Sequence, residues 1–157
     1  DTYVELSDSE YSNNQLGALS YVTAGERNPH LFLIRNRFKY NGFEYFNYTT
    51  DPCVDLVLQN VPKFYFGNNL LYKNWGGSTF QLHSGSGVLI TQSMIYNNLY
   101  YYNKNDTILS VKGGLQLPYN EALIDRNVFL ENDSPRTDLV TIVGVLSKFN
   151  RNQLVYN

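Results

Sequence analysis

The chain has 157 residues, enough for one well-buried domain, and its hydrophobic content of 43% excludes wholesale disorder. Its 14 tyrosines and 9 phenylalanines favour β-strands, because large flat side chains pack well on a pleated surface. A formal net charge of -2 gives no positive field to attract phosphates, so we expect no nucleic-acid partner.

A nine-residue unit recurs along the chain, with the pattern apolar-x-x-Asn-x-apolar-x-x-Asn. In chain order we place the units at residues 6–14, 33–41, 66–74, 90–98, 124–132 and 149–157. Successive units begin roughly 24 to 34 residues apart, the length of one coil of a β-solenoid with variable loops. The repeats predict one all-β domain over residues 1–157, a parallel β-solenoid of about six coils, which we expect to be a fragment of a larger repeat protein.

A short strand is predicted in front of each unit, because two inward-facing residues stand two positions apart there. The pairs are Val4 and Leu6, Leu31 and Leu33, Phe64 and Phe66, Val88 and Ile90, Ala122 and Ile124, and the weakest pair, Ser147 and Phe149. Further apolar runs between the units, bounded by turn-forming residues, complete each coil. Stacked coils then place parallel strands side by side on every wall.

The polar positions of the unit predict ladders of asparagine side chains at the corners of the coils. The first position holds Ser9, Asn36, Asn69, Ser93, Asn127 and Asn152, and the second holds Asn14, Asn41, Asn74, Asn98, Asn132 and Asn157. A sharp corner leaves backbone groups without strand partners, and a buried amide supplies both a donor and an acceptor. Amides at equivalent corners can also bond each other, and asparagine tolerates the left-handed backbone of tight turns.

At these units the sequence resembles right-handed parallel β-helix proteins of the pectin-lyase-like superfamily. The aromatic content and stretches such as "VPKFYFGNNLLYKNWGGSTFQL" look most like the extracellular β-helix repeats of Bark beetle/Anakonda-type adhesion proteins of animal cell junctions. The resemblance implies right-handed winding and a non-catalytic extracellular structural or adhesion role. The implied partners are neighbouring domains of the parent chain or a homophilic or heterophilic adhesion protein. We expect no membrane span within this chain, since it has no run of 18 apolar residues.

A polysaccharide lyase or hydrolase of the same fold is the enzymatic alternative. Such an enzyme needs carboxylates from neighbouring coils on one wall, for Ca²⁺ or for acid–base work. In the two positions directly before the first polar position of each unit, Asp125 and Arg126 form the sole acidic–basic dyad. We interpret this dyad as a solvated pair. We therefore predict no catalytic residues, no metal and no cofactor.

The position between each pair of inward residues should point outward, and in the middle coils it is apolar. We assign Phe32, Tyr65, Leu89 and Leu123 to this stripe, with Glu5 and Lys148 at its two ends. Soluble proteins rarely expose such a row. Either aromatic-rich loops of the same chain cover the stripe, or it binds a protein partner.

Carbohydrate binding is a further alternative, because sugars stack on tyrosine rings and tyrosines stand at predicted loop positions. They are Tyr40, Tyr45, Tyr48, Tyr72, Tyr96, Tyr100, Tyr101 and Tyr102.

Three sequons, at Asn47, Asn105 and Asn132, are possible N-glycosylation sites of a secreted protein. They occur about as often as this composition gives by chance. Cys53, the single cysteine, is interpreted as a small buried hydrophobic residue rather than a nucleophile.

Overall fold

The computed structural model describes residues 2–15, 17–23, 28–42, 51–58, 61–84, 92–113, 121–134 and 138–157. Within these ranges the protein has seventeen β-strands, numbered β1 to β17 in chain order, and no helix. The strands form three sheets, and each pairs in parallel with the equivalent strand one coil away. The predicted all-β parallel solenoid is confirmed.

Sheet A carries the first strand of each coil: β1 (Tyr3–Ser7), β4 (His30–Ile34), β7 (Lys63–Gly67), β10 (Gln92–Tyr96), β13 (Glu121–Asp125) and β16 (Leu146–Asn150). Sheet B follows it across a tight corner: β2 (Glu10–Ser12), β5 (Arg37–Lys39), β8 (Leu70–Tyr72), β11 (Leu99–Tyr101), β14 (Val128–Leu130) and β17 (Gln153–Val155). Sheet C closes the coil: β3 (Leu19–Val22), β6 (Val54–Leu58), β9 (Trp75–Ser84), β12 (Lys104–Lys112) and β15 (Val140–Val143). We expected about six coils, and the sheets contain six, six and five strands; the handedness of the winding stays a prediction.

The core is built from inward-facing apolar rows, one residue from each strand. In β7 the burial alternates as the sequence pattern predicts, with Phe64 and Phe66 buried and Tyr65 half-buried. Aromatic rings pack against each other between the sheets; the ring centroids of Phe66 in sheet A and Phe80 in sheet C are 4.3 Å apart. At about 2 kcal/mol for each fully buried large side chain, these rows are the main favourable term in folding.

The corners on both sides of sheet B have the same backbone design. Among the described residues, twelve that are not glycine have a positive φ, between 48° and 59°, and each immediately precedes a ladder position. Arg35 before Asn36 and Tyr40 before Asn41 are examples from one coil, with φ of 57° and 54°. This left-handed residue turns the chain so that the following asparagine points inward.

The buried asparagines form two continuous columns of hydrogen bonds, as predicted. The backbone N–H and the Nδ2 of Asn69 both donate to Oδ1 of Asn98, at 2.9 and 3.0 Å. The same Nδ2 also donates to the carbonyl oxygen of Leu33, at 3.0 Å. Each amide therefore satisfies backbone groups at its corner and links two neighbouring coils.

One unit was assigned to the wrong register. Asn98 belongs to the first column rather than the second, and Ser93 lies within β10 as an inward-facing residue. The member of the second column that we missed is Asn103, which bonds Asn74 on one side and Asn132 on the other. The first column is Ser9, Asn36, Asn69, Asn98, Asn127 and Asn152, and the second is Asn14, Asn41, Asn74, Asn103, Asn132 and Asn157.

Candidate protein-interaction surface

The outer face of sheet A carries a central row of apolar side chains. Phe32 is in register with Tyr65, Tyr65 with Met94, and Met94 with Leu123. Since adjacent strands are about 4.8 Å apart, these four residues, which we call the outer row, span about 14 Å. All four are half-buried although they point away from the core.

Leu89, which we had placed in this row, lies outside the described residues. Its position in the row is occupied by Met94, because the fourth unit starts later than we assigned it. The other three members, Phe32, Tyr65 and Leu123, lie in the predicted row.

The outer row lies in a groove of about 600 Å³. Polar and charged side chains also line it, among them Lys63, Gln92, Glu121 and Lys148. An apolar floor with a mixed polar rim is the usual anatomy of a protein-binding patch.

The Tyr65 ring lies over Gly67 of the same strand, where the absence of a side chain leaves room for it. A Cβ added to Gly67 would lie 2.3 Å from Cε1 and 2.5 Å from the hydroxyl oxygen of Tyr65. Burial, and the neighbouring Tyr96, raise the pKa of Tyr65. Tyr96 in turn accepts a hydrogen bond from Arg126 at 2.9 Å, and the guanidinium lies 5.7 Å from its ring centre.

Two aromatic-rich segments, residues 41–52 and 100–107, are the loops that we considered as a cover for this row, and they can be placed only in part. Residues 100–107 contribute to β11 and β12, in sheets B and C, so this segment does not cross sheet A. Most of the other segment, residues 43–50, lies outside the described residues.

A second outward row on sheet B was missed in the sequence. In β8, β11 and β14 the middle residue is buried and its neighbours are half-buried on the outer face, which places Leu70, Leu99 and Val128 in register on the outside. The sequence of these strands also shows the inward–outward alternation, but we applied this pattern only to the strands in front of the units. We favour the row on sheet A as the interaction site because that row lies in a groove.

Several predicted loop tyrosines lie together at the corner between sheets B and C. Tyr40 meets Tyr72 edge to face at 5.5 Å, and Tyr72 stacks on Tyr101 at 5.3 Å. The Lys73 ammonium lies 5.3 Å from the ring centre of Tyr72 and 5.5 Å from that of Tyr102. Tyr40 and Tyr102 are 42% and 52% exposed, so this cluster could offer rings to a ligand.

Other members of the predicted tyrosine set lie elsewhere. Tyr100 is fully buried and stacks on Phe129 at 4.7 Å, and burial raises the pKa of its hydroxyl. The prediction that Tyr100 is a loop residue was wrong, since its position in β11 faces inward. Tyr96 lies in sheet A, while Tyr45 and Tyr48 lie outside the described residues.

The dyad at Asp125 and Arg126 does not form an ion pair. The Asp125 carboxylate is 2% exposed and accepts two hydrogen bonds from the Arg151 guanidinium of the next coil, one of them at 2.9 Å from Nε. Arg126 instead contacts Tyr96. Asp125 therefore fixes the position of an arginine and is closed to solvent.

Cys53 is 1% exposed, and burial raises the pKa of its thiol to about 12. The thiol is therefore protonated at neutral pH, the form that is not nucleophilic. Over the described part of the chain, no three His, Cys, Asp or Glu side chains are grouped so as to hold a metal ion. The described ranges also contain no helix long and apolar enough to cross a membrane.

The buried positions of two sequon asparagines argue against glycans there. Asn132 is 4% exposed, and its Nδ2 donates to the carbonyl of Tyr100 and to Oδ1 of Asn157, at 2.9 and 3.0 Å. Asn105 is 2% exposed and its amide contacts the Thr79 hydroxyl at 2.7 Å. The third sequon asparagine, Asn47, lies outside the described residues.

Comparison with known proteins finds a relative along the whole chain. The whole chain aligns with part of the protein bark beetle of Drosophila melanogaster, and the two are 32% identical over 159 aligned residues. The chain spans 5% of the length of that relative. No protein-family model matches the chain, and no solved structure matches it. The chain is thus a homologue of one short segment of a very long protein, and it folds as a parallel β-solenoid with buried asparagine columns.

Proposed function

We propose that this chain is a non-catalytic structural or adhesion module of an extracellular protein, and that it binds another protein through the groove of sheet A. The observation that carries the proposal is the outer row, from Phe32 to Leu123, in its groove. The similarity to bark beetle supports a non-enzymatic structural or adhesion role. The extracellular location rests on the resemblance of the repeats to those of junctional adhesion proteins.

The groove has the chemistry of a protein-binding site rather than of a catalytic one. Its floor holds two aromatic residues, a methionine and a leucine, which together can bury a large apolar area in a partner. Lys63, Glu121 and Lys148 all line the groove, so the groove carries both signs of charge. Such a rim contributes more to orientation and selectivity than to affinity.

Binding of the purified chain to cultured epithelial cells, measured by flow cytometry, tests the proposal. Met94→Glu introduces a charge in the centre of the outer row and should lower binding at least tenfold, the loss expected of a central contact worth about 1.4 kcal/mol or more. Val22→Glu is the matched control, since Val22 is 64% exposed on sheet C. Equal binding by the two variants, both folded by circular dichroism, would contradict the assignment of the groove.

Carbohydrate binding is the second candidate, and the corner cluster of Tyr40, Lys73 and Tyr102 is the observation that favours it. Exposed rings beside an ammonium group suit a sugar with a negative charge. A glycan array would then show binding that Tyr102→Ala abolishes and Met94→Glu leaves unchanged. The lyase alternative predicts unsaturated products from acidic polysaccharides with Ca²⁺, and the hydrolase alternative predicts new reducing ends. The appearance of either product would overturn the non-catalytic proposal.

A further inference from the structure

The corner between sheets B and C carries exposed tyrosines at positions where the backbone does not favour them. Tyr40 and Tyr102 are 42% and 52% exposed, and their φ angles are positive, 54° and 57°. Asparagine and aspartate adopt this left-handed conformation more readily than tyrosine does. The equivalent position of the first coil holds Asn13, with φ of 59°. The geometry of the corner therefore does not account for the two tyrosines.

The two exposed rings belong to coils that are separated by one further coil. The backbone N–H of Tyr40 donates to the carbonyl oxygen of Tyr72 in the next coil, at 3.1 Å. In the same way, Lys73 of that coil donates to Tyr101 of the coil after it, at 3.1 Å. At about 4.8 Å for each coil, the backbones at Tyr40 and Tyr102 are about 10 Å apart. This distance matches two sugar residues of an extended polysaccharide, in which alternate residues face the same way.

Two half-buried tyrosines of sheet B support the exposed rings. Tyr72 meets Tyr40 edge to face and stacks on Tyr101. Tyr101 in turn meets Tyr102 edge to face, with the ring centroids 5.8 Å apart. Because these four rings contact each other in series, the exposed ones have little rotational freedom left to lose when a ligand binds.

Lys73 places a positive charge between the two exposed rings. It occupies the corner position of the intervening coil, and its Nζ lies 5.5 Å from the centre of the Tyr102 ring. Among the residues that the structure describes, no carboxylate forms an ion pair with Lys73. Tyr40, Lys73 and Tyr102 line one cavity of about 770 Å³. This cavity therefore presents a ring, a positive charge and a second ring in order along the solenoid axis.

A negative charge follows at the next coil. Glu131 occupies the same corner position one coil beyond Tyr102 and lines the same cavity. Lys104 lines the cavity too, but its ammonium group is paired with the carboxylate of Asp133, at 3.9 Å. Glu131 therefore repels an acidic group of a ligand that extends past Tyr102.

We propose that this corner binds a linear polysaccharide in which an acidic residue alternates with a neutral one, lying along the solenoid axis. Neutral residues stack on Tyr40 and Tyr102, and the carboxylate of the acidic residue between them pairs with Lys73. The next acidic residue lies beside Glu131, which weakens binding of longer chains. The inference rests on carbohydrate binding at this corner, the second candidate function, and specifies the class of sugar.

Fluorescence titration with a hyaluronan oligosaccharide, in which glucuronate and N-acetylglucosamine alternate, tests the proposal. Trp75, the single tryptophan, lines the cavity and reports binding there. Tyr102→Asn and Lys73→Asn should each weaken binding about tenfold, since each removes one ring or one charged contact. Asparagine suits the left-handed backbone of both positions, so these variants should fold. Glu131→Gln should strengthen binding about threefold at low salt, because it removes a repulsion.

Two other sugars and one control variant sharpen the test. A neutral cellulose oligosaccharide offers no charge to Lys73, and polygalacturonate places carboxylates over the rings, whose faces carry negative charge density. Both should bind at least about fivefold more weakly than hyaluronan. Lys112→Asn is the matched control, because Lys112 is exposed at the far end of β12 from this corner. It should bind hyaluronan as the unsubstituted chain does.

Equal binding of the three sugars would overturn the inference. So would hyaluronan binding that Lys73→Asn or Glu131→Gln leaves unchanged. Carbohydrate binding at the corner would still stand in those cases if Tyr102→Asn abolished it. If none of the sugars changes the fluorescence and a glycan array shows no bound sugar, carbohydrate binding and this inference fail together.

Discussion

Replacing one central asparagine of the ladder should cost a large part of the stability of the whole chain. Asn98 is 2% exposed in the middle of the first column. In Asn98→Ala, the backbone N–H and the Nδ2 of Asn69 lose their acceptor, and the carbonyl oxygen of Phe66 loses a donor at 2.9 Å. Oδ1 of Asn127 keeps the backbone N–H of residue 98, so we do not count it as orphaned.

Three buried groups therefore lose a partner. At roughly 1–3 kcal/mol for each unsatisfied buried group, with partial relaxation, we expect a loss of about 4 kcal/mol. That is a large share of the roughly 5–15 kcal/mol typical of a folded domain. With a urea m-value of about 2 kcal/mol/M, the unfolding midpoint should fall by about 2 M.

Urea unfolding followed by circular dichroism and by fluorescence of Trp75, the single tryptophan, measures this loss. Asn97→Gly is the matched control: its side chain makes an exposed hydrogen bond to Asn68, and glycine suits its φ of 53°. The control should change stability by less than about 1 kcal/mol. If Asn98→Ala costs no more than the control, the ladder does not stabilise the fold as argued.

A charged variant at the same position has a defined pH dependence. In Asn98→Asp the carboxylate would face the oxygen atoms of Asn127 and Phe66, and burial beside acceptors raises the pKa of a carboxyl group above its unfolded value of about 3.9. The folded state then binds the proton more tightly than the unfolded state. Stability relative to the parent chain should therefore fall as the pH rises above about 4, and acid should restore part of it.

Three further changes have expected outcomes that differ in kind. Gly67→Ala should displace the Tyr65 ring and cost about 1–2 kcal/mol in urea unfolding, and the cost should vanish in a Tyr65→Ala background, where the space is free. Cys53 should react with a maleimide only when the chain unfolds. Because the pKa of its thiol is about 12 in the folded state and about 8.5 in the unfolded state, the free energy of unfolding should fall as the pH rises above about 8.5. This fall should be smaller in Cys53→Ala, which lacks the thiol. Arg151→Ala should destabilise the chain more than Arg35→Ala does. Arg151 compensates the buried carboxylate of Asp125, whereas Arg35 pairs with the exposed carboxylate of Asp8.

The architecture was predictable because each coil repeats the same local solution. Apolar residues two positions apart mark the strands of sheet A. Two asparagines five positions apart mark the two corners that flank each strand of sheet B. The resulting parallel solenoid and most members of both columns were correctly predicted. The further apolar runs that we expected between the units form the strands of sheet C, although the pattern did not indicate that their lengths range from four to ten residues.

The register of the fourth coil failed for an identifiable reason. Asn97 and Asn98 stand together, and matching Asn98 to the second position of the unit shifted the whole coil by five residues. Aligning "SMIYNNLYYYN" at residues 93–103 with "FYFGNNLLYKN" at residues 64–74 would have found Asn103 and Met94. The hydrogen-bonded spacing of these coils, 29 residues on both sides, is also more regular than the one we assigned.

The candidate site was harder to predict because outward positions obey no structural rule of the solenoid. Inward positions must be apolar and corner positions must supply an amide, so their residue types follow from the fold. An outward position tolerates almost any side chain, as the change from Glu5 to Phe32 along a single row illustrates. Its residue type is therefore free to serve a partner.

The same reasoning explains why the apolar character of the outer row points to binding. The fold is already stabilised by its core and by the asparagine columns, and neither requires Tyr65 or Met94 to be apolar. Gly67 leaves space for the Tyr65 ring at a strand position where glycine itself costs stability relative to alanine. The outward-facing Tyr65 ring and the glycine that accommodates it therefore support the proposed contact outside the core. The groove of sheet A is therefore the first surface on which to look for the partner.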